Sequence, residues 1–383
     1  ENSGRNVLGE GRAMIDYVYS MTLLILAAIL FALGLMFLFL NVSDNPKLGA
    51  YHNATKAMAF TYIFFGLTNT FEYLERLSGM EIDNSLLFRI VTLIIASSQA
   101  FLFTFAMISL VNTKYMTRRR VLREIFLISL FILFGLFCYL GTNKAVANIF
   151  AYFYIAFYFS QLVRYILIFT KLYRNCLRKM DNYFSSQEAE RLRWINFSFF
   201  SAFAIGIMAL TPTLFPTSLF GIISSLTCMV FYVYFIIRFI NYAFIFSTIE
   251  EIVNEKPETE TVDESLPESA VNESVSALEN RIVQWVENKQ YTVHGVTIKD
   301  MAAQLGTNRK YLSVYINKVE NKTFREWINS LRIEEAKHLL RENPDMTATG
   351  IAERTGFSDR SYFVRQFVNL TGISPHAWRK RIQ

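Results

Sequence analysis

Long runs of apolar residues, separated by short polar stretches, fill the first two-thirds of the chain and predict membrane-spanning helices. The first run, residues 21–40, has the length that a helix needs to cross a bilayer and is too long for the apolar part of a cleavable signal. Six further runs lie at residues 57–74, 86–111, 125–140, 146–170, 195–214 and 219–237. The pattern predicts an all-α fold that begins with an extracytoplasmic segment over residues 1–20 and a seven-helix transmembrane bundle over residues 21–247.

The spacing of apolar residues changes near the C-terminal end to that of an amphipathic helix in a soluble domain. Phe324, Trp327, Ile328 and Leu331 recur at i, i+3, i+4 and i+7, which places them on one face of a helix. The apolar pattern continues one step round the helix through Ile333, Ala336, Leu339 and Leu340. We therefore predict one long amphipathic helix inside a soluble domain over residues 277–383.

A short helix, a glycine turn and a second helix are predicted before this long helix. Thr297 with Asp300 three residues later is close to a capping box, which marks a helix start. Gly306 lets the chain reverse, and Thr307 is the predicted cap of a second helix over residues 308–318. Two short helices joined in this way form a helix-turn-helix, whose second helix fits the major groove of DNA.

The same pattern is repeated after the long helix. Thr347 is the predicted cap of the first helix, Gly356 allows the turn at positive φ, and Ser358 is the predicted cap of the second helix. Phe363 and Phe367 repeat at i, i+4 and are expected to point inward. The soluble domain is thus predicted to hold two helix-turn-helix units braced by a long helix.

This arrangement resembles the DNA-binding domain of AraC-type transcription regulators, over roughly residues 276–383. The resemblance rests on spaced positions in both units, namely Ala302, Leu312, Arg332, Ile333, Ala336, Leu340, Ile351, Ala352, Gly356, Phe357, Phe363, Phe367, Gly372 and Pro375. It implies that the partner is double-stranded promoter DNA. Gly350 departs from the family pattern, and a glycine inside a helix is expected to loosen it by roughly 1 kcal/mol.

The outward-facing side of each second helix gives the candidate DNA contacts. Polar and small side chains there suit base edges in the major groove. The candidates for base contacts are Lys310, Ser313, Val314, Asn317, Arg360, Ser361, Val364 and Arg365. The candidates for phosphate contacts are Arg309, Lys318, Lys322, Arg379, Lys380 and Arg381.

Charge is distributed unevenly along the chain, although the net formal charge is only +6. Residues 281–383 hold 17 Lys and Arg against 10 Asp and Glu, a net of +7, which suits a polyanionic partner. Residues 250–280 hold ten acids and one Lys, a net of −9. With two prolines and no aromatic residue, the stretch 255–276 is predicted to be disordered, within an acidic linker over residues 248–276. Its charge either keeps it soluble or competes with DNA for the basic domain.

Basic residues mark the loops that face the cytoplasm of a membrane protein. Residues 113–124 hold five Lys and Arg and residues 171–194 hold six, while the alternate loops hold almost none. With seven spans, this distribution places the N-terminus outside and the C-terminal domain in the cytoplasm. The predicted location is a multi-pass protein of the bacterial inner membrane, with the lipid bilayer as its second partner.

Charged residues at the predicted outer mouth of the bundle form a candidate signal site. Glu72, Glu75 and Arg76 end the second span, and Arg89 begins the third. Charge near lipid is unfavourable and often marks function, but such residues also pair for structure or extend to the headgroups. The aromatic run 151–159 has two interpretations as well, an apolar ligand pocket or ordinary packing, and packing is favoured.

These patterns predict a membrane-embedded one-component transcription regulator that senses a ligand or membrane partner and acts through DNA, with a homodimer as one way to transmit the signal. The alternative is a transporter or structural membrane protein whose tail binds another protein. No enzyme motif is evident, and the three cysteines lack the spacing and histidines of a zinc site. We predict neither catalytic activity nor a metal or cofactor.

Overall fold

The computed structural model describes residues 2–40, 48–78, 86–141, 144–208, 218–254 and 268–382. Regular structure in these residues is helical, apart from one isolated antiparallel bridge, so the all-α class is confirmed. The chain divides into two compact units. The first comprises Glu1–Arg174 with Arg193–Asn254, and the second comprises Asn175–Leu192 with Glu255–Gln383.

The first unit is built from the helices that contain the long apolar runs. They are α1 (Asn2–Phe39), α2 (Gly49–Ser78), α3 (Leu86–Val111), α4 (Arg118–Gly141), α5 (Lys144–Asp181), α6 (Arg193–Met208) and α7 (Ser218–Asn254). Among the described residues, four stretches are long and apolar enough to cross a membrane, namely Gly11–Phe39, Ile90–Val111, Tyr152–Asp181 and Ser218–Ala243. The count of seven spans stays a prediction. Residues 209–217, which contain the connection between the last two predicted spans, lie outside the described residues.

Buried tyrosines join the helices of the first unit. The Tyr51 hydroxyl donates to the Phe239 carbonyl at 2.8 Å, and the Tyr62 hydroxyl donates to the Tyr232 carbonyl at 2.9 Å. Such bonds satisfy the polar end of a ring whose body packs in an apolar core. Large apolar side chains remain exposed on the same helices, among them Phe39, Phe126, Phe153, Leu167 and Val230.

The aromatic run 151–159 packs on one side only. Tyr154 and Tyr158 are buried, whereas Tyr152 and Phe153 are exposed. Phe157 stacks on Phe131 of α4 with 3.8 Å between ring centroids. The run therefore joins α5 to its neighbours and presents an apolar outer face, while Tyr158 also lines a cavity inside the unit, and the preference for packing over a ligand pocket stays a prediction.

An ion pair joins α4 to α5 within the first unit. The Arg164 guanidinium donates to both carboxylate oxygens of Glu124, one of them at 2.7 Å, and the Tyr165 hydroxyl donates to the same carboxylate at 3.1 Å. Arg164 pairs with Glu124 because a carboxylate within reach satisfies the guanidinium better than an isolated position in an apolar setting.

Helices enter the predicted acidic linker from both ends. Helix α7 continues to Asn254, and α8 (Glu268–Glu287) begins well before residue 276. Residues 268–276 of the stretch predicted to be disordered are therefore helical, residues 255–267 lie outside the described residues, and the acidic linker over residues 248–276 stays a prediction. Helix α8 is fixed by Leu278, Ile282 and Trp285 in the core, and acids at a helix start favour the helix dipole, which explains its extension into this stretch.

The second unit is organised around one long helix, as predicted. Its helices are α8, α9 (Ile298–Gln304), α10 (Arg309–Lys318), α11 (Phe324–Glu342), α12 (Ala348–Arg354), α13 (Arg360–Thr371) and α14 (Pro375–Ile382). The first half of α11 packs with α8, α9 and α10 around Trp327 and Ile328. The second half packs with α12 and α13 around Ile333, Ala336 and Leu340. The two halves of α11 thus contribute to two separate apolar cores.

Candidate DNA-binding surface

The first helix-turn-helix consists of α9 and α10. Helix α9 begins at a capping box, in which Thr297 Oγ1 accepts from the Asp300 amide at 3.1 Å and Asp300 accepts from the Thr297 amide at 3.1 Å. Gly306 then has φ +59°, which reverses the chain. Helix α10 begins at Asn308, whose side-chain oxygen accepts from the Lys310 amide at 2.9 Å. The predicted cap Thr307 is wrong by one residue, because Asn308 is the side chain that reaches the first free amides.

The second helix-turn-helix consists of α12 and α13. Thr347 caps α12 by accepting from the Gly350 amide at 3.1 Å, and Gly356 has φ +80°, as predicted. Helix α13 is capped by Asp359, which accepts from the Tyr362 amide at 2.8 Å, so the predicted cap Ser358 is wrong. The Tyr362 amide lowers the pKa of Asp359, and the cap is therefore a carboxylate at neutral pH.

Phenylalanines under α13 fix its orientation. Phe357, Phe363 and Phe367 are buried, with ring centroids 5.5 Å apart for the first two and 5.7 Å apart for the last two. They pack against Ile351 of α12, as the i, i+4 spacing predicts. The opposite side of α13 therefore faces away from the core.

The outward side of α13 carries three of its four predicted base-contact residues. Arg360, Ser361 and Arg365 are exposed. Val364 is half-buried and packs against the apolar core, so it is less outward than predicted. Tyr362 points into the core, where its hydroxyl accepts from Asn329 of α11 at 2.7 Å.

The predicted outward set on α10 needs one correction. Ser313 is only 1% exposed, because the buried stripe of Leu312 and Ile316 is wide enough to include a small neighbour. Asn317 folds back on it and donates to the Ser313 carbonyl at 2.8 Å. Lys310, Val314 and Asn317 are half-buried.

Tyr311 is a candidate that we missed on the sequence. Its side chain is 55% exposed, and it shares a face with Val314 and Lys318 at i, i+3 and i+7. This spacing is visible in the sequence and would have placed Tyr311 on the outward face of α10. A phenol adds a hydrogen-bonding group and an apolar ring to the outward face of α10.

The predicted phosphate contacts separate into exposed and engaged cations. Lys318, Lys380 and Arg381 are exposed. Lys322 donates to Ser330 at 3.2 Å and Arg379 donates to the Met346 carbonyl at 2.6 Å. The Arg309 guanidinium lies over the Tyr183 ring, 5.4 Å from its centroid. Basic groups thus border both second helices, as phosphate recognition requires.

A cavity of about 310 Å³ lies inside the first unit, and two residues of the candidate signal site line it. Glu72 and Glu75 belong to its wall, and Arg76 pairs with Glu72 at 3.5 Å. Tyr19, which we had not singled out, donates to Glu72 at 2.8 Å. The side chain of Arg89 lies outside the described residues. The remaining lining is mainly apolar, but Gln99 Nε2 is buried there without a hydrogen-bond partner among the described atoms.

No group of metal-ligating side chains occurs in the part of the chain that the structure describes. Cys176 and Cys228 are buried as free thiols. The candidate base contacts lie on α10 and α13.

Comparison with known proteins matches the region that contains these two helices. Residues 301–381 match the family described as a helix-turn-helix domain. The Msm operon regulatory protein of Streptococcus mutans is 33% identical over 122 residues, which are 31% of this chain and 43% of that protein. The HTH-type transcriptional activator RhaS of Klebsiella pneumoniae is 30% identical over 116 residues, 30% of this chain and 40% of that protein. This chain spans less than half the length of these curated relatives, and no solved structure gives a significant match.

The C-terminal region is therefore a helix-turn-helix domain of the AraC type.

Proposed function

We propose that this protein is a membrane-embedded one-component transcription regulator, which senses a signal through its N-terminal helices and binds promoter DNA through its C-terminal domain. The observation that carries the proposal is one chain that joins helices with exposed apolar faces to an AraC-type domain. Apolar side chains of this size on an outer surface are favourable in contact with lipid.

The proposed location is the bacterial inner membrane, with the N-terminus outside and the DNA-binding domain in the cytoplasm. The basic residues of loops 113–124 and 171–194 support this orientation, because positive loops stay on the cytoplasmic side. DNA is in the same compartment. The charge rule and the identity of the C-terminal domain thus give the same topology independently.

The proposed signal site is the cavity of the first unit. Its apolar wall suits a ligand with an apolar body, and the carboxylates of Glu72 and Glu75 suit a cationic or hydrogen-bond-donating group at one end. Gln99 Nε2 is a buried donor that a ligand oxygen would satisfy. The pair of Glu72 with Arg76 also has a purely structural interpretation, and ligand binding would then depend on Gln99 and the apolar wall.

The proposed base contacts are the outward residues of the two second helices. On α13 they are Arg360, Ser361, Val364 and Arg365, and on α10 they are Lys310, Tyr311, Val314 and Asn317. Ser313 leaves the set because it is buried. The proposed phosphate contacts are Arg309, Lys318, Lys322, Arg379, Lys380 and Arg381, of which Arg379 must first release the Met346 carbonyl.

Two routes for the signal follow from the domain order. Ligand binding re-pairs the membrane helices of a homodimer and brings two DNA-binding domains together, or cleavage within residues 255–276 frees the domain. An antibody against the C-terminal end distinguishes them, since only cleavage produces a short fragment in induced cells.

Genome-wide footprinting of the intact protein tests the proposed function. Discrete occupied promoters are expected, together with a cytoplasmic location for a reporter fused after Gln383. A transporter or structural membrane protein with a protein-binding tail would give diffuse or no occupancy. A reporter found outside the cell would contradict the proposed topology.

A further inference from the structure

A loop from the N-terminal half of the sequence packs onto the DNA-binding domain. We define the cover loop as residues 181–191, which lie between α5 and α6 and belong to the second compact unit. Phe184 of this loop forms an antiparallel bridge with Thr297, the cap of α9. The Ile298 amide donates to the Tyr183 carbonyl at 3.0 Å, and the Ser185 hydroxyl donates to the carbonyl of Val296. The loop is therefore held by backbone pairing as well as by side chains.

The start of the cover loop engages the first helix-turn-helix. Tyr183 packs against the apolar core of α8 to α11, and its ring lies under the Arg309 guanidinium. The Asp181 carboxylate pairs with Arg325 at the start of α11, with 3.0 Å between oxygen and nitrogen. Arg309 is one of the proposed phosphate contacts, so the loop contacts a cation that is proposed to bind DNA.

The end of the cover loop engages the second helix-turn-helix. Arg365 of α13 donates to the side-chain oxygen of Gln187 at 2.9 Å and to the Glu190 carboxylate at 2.9 Å. Both bonds come from Nη2, whereas a guanidinium that grips guanine bidentately uses two of its nitrogens. The amide oxygen and the carboxylate therefore occupy one of the donors that such a contact with a base needs.

One loop thus contacts a cation of each helix-turn-helix. An aromatic ring lies against Arg309, a proposed phosphate contact, and an amide oxygen and a carboxylate accept from Arg365, a proposed base contact. The same donor cannot serve both partners at full strength. We propose that residues 181–191 are an internal cover of the DNA-reading surface, which DNA must displace from Arg309 and Arg365 before both helix-turn-helix units can bind. The proposal rests on the DNA-binding function of the C-terminal domain and adds its regulation.

The position of the cover loop connects it to the proposed signal site. Helix α5, which precedes the loop, contributes Tyr158 and Leu162 to the cavity wall, and α6, which follows it, contributes Phe199 and Ala202. A ligand that changes the spacing of α5 and α6 changes the distance between the two ends of the loop. Ligand binding would then shift the balance between covered and uncovered states.

Variants that remove the same charge from two positions of the loop test the cover. The full chain in lipid nanodiscs is titrated with a duplex that the protein itself selects from a randomised pool. Glu190→Gln combined with Gln187→Ala should raise the affinity for this duplex about tenfold, the scale of one charge-assisted hydrogen bond. Glu188→Gln removes the same charge from the same loop, but Glu188 pairs with Arg191 and not with α13, so its affinity should stay within about twofold of the unchanged protein.

A reversible lock provides the second test. Phe184→Cys with Thr297→Cys places two thiols at directly opposed bridge positions, where the backbone spacing suits a disulfide. The oxidised protein should bind the duplex about tenfold more weakly than the same protein after reduction. Each single-cysteine variant serves as a control that should not respond to reduction.

The outcomes separate the cover from the function on which it rests. Equal affinity before and after reduction, with equal affinity of the Glu190 and Glu188 variants, would show that the loop leaves the reading surface open and would overturn the cover. Failure of the unchanged and reduced proteins to select any duplex would overturn the DNA-binding function and the cover together.

Discussion

Arg332 Nε donates a 2.8 Å hydrogen bond to the backbone carbonyl of Tyr291. The same guanidinium donates to the Val293 carbonyl at 2.9 Å. The Arg332 side chain is only 1% exposed. Burial lowers the pKa of Arg332 to about 10, so it stays charged at neutral pH. Arg332 joins α11 to the turn after α8, and its guanidinium also lies 5.7 Å from the Phe357 ring of the second helix-turn-helix. One buried cation therefore joins the long helix to the turn that precedes the first helix-turn-helix and to Phe357 of the second.

Replacement of Arg332 by methionine should destabilise the C-terminal domain. The change keeps an apolar stem of similar length, but it removes the donor of the buried bond to Tyr291 and of the partly buried bond to Val293, which costs about 2 to 3 kcal/mol after the relief of a buried charge. Hydrogen exchange of the full chain should show the loss of protection at residues 290–293 and in α11. Lys337→Met on the same helix removes an exposed pair with Glu334 and should change protection by less than about 1 kcal/mol.

Gly356 and Gly350 should respond in opposite directions to alanine. A Cβ at Gly356 would lie 2.2 Å from the Thr292 carbonyl oxygen, and the residue has φ +80°, so Gly356→Ala should cost more than about 2 kcal/mol through strain and displacement of that turn. At Gly350 the nearest atoms are 3.5 Å away within a regular helix, and Gly350→Ala should stabilise α12 by up to about 1 kcal/mol. Thermal unfolding of both variants measures the difference. Two equal losses would contradict this interpretation of the turn.

Local chemistry made much of this domain predictable. The caps Thr297 and Thr347, the turn at Gly356 and the inward phenylalanines depend on residues within one or two helical turns, and the structure has them as predicted. The errors at Thr307 and Ser358 arise because two adjacent polar residues satisfy the same local rule, and only the path of the chain decides which side chain reaches the free amides. Element boundaries of this kind are the least determined by local sequence.

Long-range contacts could not be predicted in the same way. Arg365 meets Glu190 across 175 positions of sequence, and no periodic pattern connects the two. The burial of Ser313 depends on how wide a stripe of α10 its neighbours cover. Both features affect the DNA-reading surface directly, so sequence reasoning located this surface but not the contacts that occupy it.

The cap of α13 should make its stability depend on pH. The Tyr362 amide lowers the pKa of Asp359, so the folded carboxylate titrates below its value of about 4 in the unfolded chain. The stabilisation is therefore fully present above that unfolded value and is lost as the pH falls through the folded pKa. Asp359→Ala should cost about 1 kcal/mol at neutral pH, Asp359→Asn should keep most of the cap without its pH dependence, and Ser358→Ala should have little effect. Chemical-shift titration of α13 amides in the full chain follows this directly.

Filling the cavity should uncouple sensing from DNA binding. Ala202 of α6 lines the cavity, whereas Ala204, two residues later, is exposed and does not. Ala202→Phe should therefore occupy ligand space and make promoter occupancy insensitive to growth conditions that normally change it, while Ala204→Phe should preserve the response. Occupancy at the strongest footprinted promoter gives the measurement. If both variants respond normally, this cavity is not the signal site.

Base contacts and phosphate contacts should differ in how their loss depends on sequence. Arg360 is exposed on α13, where a guanidinium grips guanine through two hydrogen bonds, so Arg360→Ala should cost about 1 to 3 kcal/mol on the preferred duplex and relax discrimination at one base pair. Lys318 is exposed at the end of α10 and is proposed to meet a phosphate, so Lys318→Ala should weaken binding to all duplexes alike and reduce the salt dependence by about one ion. Affinities for a series of single-base variants of the selected duplex, each at several salt concentrations, separate the two classes.

Arg365→Ala is a less direct test, because it also removes the partner of Gln187 and Glu190 and so changes the cover loop together with the base contact. Equal losses for Arg360→Ala and Lys318→Ala on every duplex would contradict the division, since a residue that reads a base cannot lose the same free energy when that base is already wrong.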